Sequence, residues 1–172
     1  MLGYEVKLRA NKDSSADVVI IPDPTQTSLS DGVIHGWQFY AKIISLQHSV
    51  YLQIWRPVGV GVGDSGGGVP DTDIYALVGQ TFVHPAELRF HEVVLSADQF
   101  IATERGDVIG LYFPAQNPIG WSAVPCAHAQ QHHRYVTGPP ANVTVGTRLH
   151  FKTAPSAGDT CRYYSVRALF GK

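Results

Sequence analysis

Charge is scarce in this chain of 172 residues. Asp, Glu, Lys and Arg make up 16% of it, against about 25% in an ordinary globular domain. The net charge is -1 and the 13 basic residues are scattered singly. A nucleic-acid binder needs a basic patch to meet phosphates, so that class is disfavoured. Long apolar runs are missing too. Nowhere do 18 apolar residues follow one another, so no stretch reads as a membrane-spanning helix. A 3.6-residue apolar stripe is also absent, which argues against helices. Cysteine is rare, with Cys126 and Cys161 alone. No CxxC or HExxH spacing exists, so no zinc motif is on offer.

What is present is apolar, aromatic and punctuated. Hydrophobic residues reach 44%, enough for a packed core in one domain of residues 1–172. Seventeen Gly and eleven Pro cut the chain into short segments. Those segments alternate in the way strands do. In VIHGWQFYAKII, residues Val33, His35, Trp37, Phe39 and Ala41 share one face at period two. In VYLQIW, Val50, Leu52 and Ile54 oppose Tyr51, Gln53 and Trp55, and Arg56-Pro57 ends the run. Gly106-Asp107 turns the chain into Val108–Phe113, and a loop with Asn117 and Trp121 leads on to Cys126. Cys161–Phe170 reads as one closing strand. Phe90 and Val94 are expected to point inward, and Phe100 to re-enter the core. Nine or ten short strands between turns predict an all-β fold, a two-sheet antiparallel sandwich of jelly-roll type.

Chemistry-bearing motifs are few. GDSGG at Gly63–Gly67 matches the string around a trypsin-like nucleophile, but the rest of that family's pattern is missing. No G-x-S-x-G elbow exists. Glu92 and Glu104 are the best-placed carboxylates for glycoside hydrolysis, although sequence alone singles out no pair. The chain therefore reads as non-catalytic, with a glycoside-active enzyme as the remote alternative. In VGVGVGDSGGGVPDTD, Asp64, Asp71 and Asp73 are candidate calcium ligands in what otherwise reads as a long hairpin loop. His128, His132 and His133 cluster in a polar stretch, which is either a metal site or a solvated loop. Aromatic and polar residues on loops suit a ligand: Trp121 with Asn117, Tyr135 after His132, and Arg56 leading into the glycine-rich segment.

Cys126 and Cys161 either form one disulfide, worth about 3–4 kcal/mol, or remain buried thiols. The first fifteen residues carry Glu5, Lys7 and Arg9 where the apolar part of a leader would stand. The chain is then either cytosolic or a domain of a longer secreted protein. The Asn142-Val143-Thr144 sequon fits the second reading.

The runs GWQF (Gly36–Phe39), VYLQIWRP (Val50–Pro57) and GDVIGLYF (Gly106–Phe113) resemble secreted β-sandwich modules of the galactose-binding, jelly-roll type. That resemblance implies extracellular placement, a glycan or protein ligand and a structural calcium ion. The trimeric C1q/TNF-like jelly roll, which also ends in an aromatic-rich strand, resembles the chain less closely. The reading that results is an extracellular recognition or adhesion domain. Its alternative is a structural module that self-associates as a homo-oligomer through sheet faces or edges.

Overall fold

A computed structural model of the chain describes residues 2–14, 16–23, 31–42, 48–60, 72–126, 133–139, 143–153 and 160–171. Within them lie thirteen strands: β1 (Leu2–Gly3), β2 (Asp17–Ile21), β3 (Gly32–Tyr40), β4 (Val50–Val60), β5 (Thr72–Val83), β6 (Phe90–Val94), β7 (Ile101–Thr103), β8 (Val108–Phe113), β9 (Trp121–Pro125), β10 (Arg134–Thr137), β11 (Arg148–Thr153), β12 (Thr160–Tyr164) and β13 (Val166–Gly171). One 3-10 turn, Ala97–Gln99, precedes β7. Every strand pairing is antiparallel. The all-β expectation therefore holds, with thirteen strands instead of nine or ten.

The strands do not form two open sheets. Six close into a barrel in the order β10-β11-β5-β4-β8-β2. A second sheet runs β1-β13-β3-β6, with β7 also on β3, and β9 and β12 form a separate two-stranded ribbon. The cause is visible in the middle strands. All six residues of β8 are buried, as are the last four of β2. A strand that is apolar on both faces needs cover on both. One face, with Val19, Ile21, Leu52, Ile54, Leu111 and Phe113, packs against Ile34, Trp37 and Phe39 of the second sheet. The other face, with Val18, Ile20, Trp55 and Val108, fills the barrel interior against Tyr75, Leu77 and Phe151.

Three local expectations change. A register shift between β3 and β13 sets Leu169 opposite Gly36 and Phe170 opposite Ile34, leaving His35 as the extra residue. Such a bulge flips the face upstream of it. Trp37, Phe39 and Ala41 point inward as expected, but Ile34 replaces Val33 and His35 in the core. Next, β4 runs through Pro57 to Val60. The β8 ladder stops at Trp55, so the missing Pro57 N–H falls on an unpaired side. Finally, the expected closing strand is two strands. They part at Ser165, whose hydroxyl accepts from Lys7 N–H at 2.8 Å and donates to Lys7 C=O at 2.6 Å. Here the chain leaves the β9 ribbon and joins β3.

Cys126 and Cys161 form the expected disulfide, with Cα atoms 5.1 Å apart and a sequence separation of 35. It locks the ribbon that β9 and β12 make. Replacing both cysteines by serine should lower the unfolding free energy by about 3–4 kcal/mol. A urea titration would read this as a lower midpoint at similar slope, and an unmoved midpoint would show that packing alone holds the ribbon.

Candidate ligand groove

A surface groove arises because β5 is longer than its neighbour. β4 follows β5 as far as Val83, but β11 pairs only as far as Ala76. Leu77 closes that ladder, donating to Thr147 C=O at 2.9 Å and accepting from Gly146 N–H at 2.8 Å. Beyond it, Val78–Val83 have no strand on that side among the described residues. β7 lies over this part of β5. Gly79 permits the approach, since a Cβ there would sit 2.6 Å from Ile101 Cγ2.

Between the two strands opens a groove of about 520 Å³, lined among others by Gln80, Phe82, Asp98, Phe100, Ala102 and Val145. Phe82 is 56% exposed and Phe100 42%. Neither ring is loose. Phe82 leans on Tyr51 at 5.1 Å between ring centres, and Tyr51 stacks on Tyr112 at 5.3 Å. Phe100 meets the edge of His35 at 6.4 Å. Gln80 ends a satisfied chain in which Trp55 Nε1 donates to Gln53, Gln53 to Gln80, and Gln80 to Val143 C=O, each at 2.9 Å. Asp98 is the one ionisable side chain in the lining. The Ser96 hydroxyl holds its carboxyl below the usual carboxylate range.

The residues singled out from sequence lie elsewhere. Trp121 and Asn117 do come together, around Asp13. Arg162 sets its guanidinium 4.2 Å over the Trp121 ring and pairs with Asp13 at 2.6 Å. Tyr164 and Asn117 donate to the other Asp13 oxygen at 3.0 and 3.2 Å. Asn117 is fully buried, and its carbonyl accepts from Ile119 N–H at 2.9 Å. Burial, then the Asp13 carboxylate, holds the Tyr164 hydroxyl protonated well above its ordinary range. This cluster ties the 117–121 loop and the β12 ribbon to the segment before β2.

Arg56 grips the turn before β8. It makes two 2.9 Å bonds to the buried Asp107 and a third contact at 2.8 Å to Glu104. Tyr135 stands half-buried on β10 opposite Val19 and Lys152. The Asp73 backbone sits in β5, opposite Phe151. Asp64, Asp71, His128, His132 and Asn142 lie outside the described residues. His133 is buried. No group of three or more His, Cys, Asp or Glu is placed to hold a metal among the described residues. Glu92 accepts from Gln38 on the face of β6, whereas Glu104 is engaged by Arg56.

The groove aromatics were missed because alternation alone does not say which face wins. Phe90 and Val94 are exposed at 44% and 73%, against expectation. Pairing with β3 sets His91 opposite Phe39 and Val93 opposite Trp37, so the odd residues of β6 face the core. Phe100 likewise stays outside while Ile101 enters. Comparison with known protein families, curated proteins and solved structures finds no match for this chain.

The Asp13 cluster gives a direct test. Asp13→Ala leaves Arg162, Tyr164 and Asn117 without their shared acceptor, and should destabilise the fold by about 3 kcal/mol. Thermal or urea unfolding checks this, and a loss below about 1 kcal/mol would mark the cluster as surface electrostatics.

Proposed function

We propose that this chain is a non-catalytic recognition or adhesion domain acting outside the cell, and that its ligand occupies the groove between β5 and β7. The observation that carries the reading is the pair of exposed phenyl rings, Phe82 and Phe100, held at the rim of an open groove by packing behind them. Rigid aromatic faces give contact area at little entropic cost, whether the partner is a glycan or a protein. The disulfide supports an oxidising compartment, and the Asn142-Val143-Thr144 sequon agrees with it. The resemblance to secreted jelly-roll modules points the same way. Calcium at Asp64, Asp71 and Asp73 belongs to this reading as a structural ion.

A second reading, a self-assembling module, draws on β6. That strand lies at an edge of its sheet and exposes Phe90 and Val94. Exposed apolar edge strands are sites of strand-to-strand association. Sedimentation at high concentration decides this one, with a strict monomer removing it.

For the first reading, the protein should be screened on a glycan array and against displayed extracellular proteins. Phe82→Ala with Phe100→Ala should weaken any ligand found at least about tenfold, the order expected for removing two aromatic anchors, with an unchanged circular dichroism spectrum. A ligand that binds the double variant as well as the parent would move the site elsewhere.

A further inference from the structure

The backbone of the groove wall specifies more than an apolar face. Leu77 turns both its N–H and its C=O away from β4, toward Gly146 and Thr147. It stands opposite Trp55. The register shift between Ile54 and Trp55 then sets Gly79 opposite Ile54, Gln80 opposite Gln53, and Phe82 opposite Tyr51. In an antiparallel ladder the pairs alternate between those that exchange hydrogen bonds and those that do not. Counted along β4 from Trp55, the pairs at Gln53 and Tyr51 are of the second kind. Gln80 and Phe82 therefore turn N–H and C=O away from β4, as Leu77 does. For Leu77 that direction meets the 146–147 turn. For Gln80 and Phe82 it meets the groove that both residues line.

We propose that this groove takes an extended polypeptide segment of a partner protein, which adds as a strand to the free edge of β5 at Gln80 and Phe82. This rests on the recognition reading above and names its ligand class. Two N–H and C=O sets, two residues or about 7 Å apart, match the repeat of an extended peptide. A sugar chain has no donor and acceptor at that repeat. Alternate side chains of the incoming strand meet Phe82 and Phe100. Asp98, the one charged group of the lining, pairs with a Lys or Arg of the segment. Natural edges are commonly blocked by Lys or Pro. None of the lining residues is Lys, Arg or Pro.

The test pans a phage-displayed random dodecapeptide library on the full chain with its disulfide intact. Enriched peptides should alternate apolar and polar residues around a Lys or Arg, and should shift the Gln80 and Phe82 amide resonances. N-methylating alternate residues of such a peptide should weaken binding at least about tenfold in one phase and little in the other, since only one phase faces β5. Asp98→Asn should cost about threefold, the size of one exposed ion pair. Groove-bound peptides indifferent to the phase of N-methylation would overturn strand addition. So would an absence of enriched peptides alongside a glycan ligand lost in Phe82→Ala, although recognition by the groove would then stand. If neither peptides nor glycans engage the groove, both readings fall.

Discussion

The fold depends on one constraint, the burial of β8 on both faces. Val108–Phe113 has Tyr112 as its one polar side chain and no exposed position. A strand like this cannot be an outer layer. The sheet of β3 and β13 covers one side of it, through Trp37 and Phe39. The other side is covered because β10 and β11 curl over and complete the ring from β5 back to β2. Trp55 fills that interior, edge-on to Phe151 at 5.1 Å. Gly110 makes room for it, since a Cβ there would stand 2.6 Å from the indole. Closing the ring also pairs most of its strands on both sides, which is the usual benefit of a barrel.

With so little charge in the chain, the two ion pairs that reach a buried carboxylate sit where segments must be aimed. Arg56 and Asp107 fix the turn that delivers β8. Asp13 gathers Arg162, Tyr164 and Asn117, and so joins the ribbon, the 117–121 loop and the N-terminal segment. Trp37 Nε1 donates to Thr81 at 2.9 Å, a polar link between the sheet and the barrel. Buried ion pairs add little net stability but cost a great deal to break. Their effect here is placement.

Much of the strand content was legible from residue types. Val50–Trp55, Val108–Phe113 and Trp37–Phe39 read as strands, and the two cysteines as a plausible bridge, since hydrophobic period and turn residues are local signals. Closure was not legible. Whether a two-faced apolar strand meets one layer or curls its own sheet around depends on which strands pair over long separations, such as Asp17 with Phe113. Bulges escaped for the same reason. The extra residue at His35 exists only relative to β13. Trp121 and Asn117 lie on one loop in the sequence, but the cluster they join forms through Asp13, 104 residues from Asn117 and 149 from Arg162. No local pattern announces such a contact.

The groove follows from the same closure that shapes the core. β5 has twelve residues and β11 six. Beyond Leu77 the longer one has no strand beside it on that side among the described residues. The 143–147 turn ends the cover at Leu77, and the first uncovered residues are those that Gly79 and the register shift at Ile54 bring against β7. Evolution can blunt an edge like this with a lysine, a proline or a strand of its own. Here the edge carries Gln80 and Phe82, with Phe100 across from them. An edge left open beside two supported aromatic rings is a costly thing to keep without a use. That is the physical reason the proposed recognition falls at β5, and not at the Trp121 loop, where Asn117 and Arg162 are both spent on Asp13.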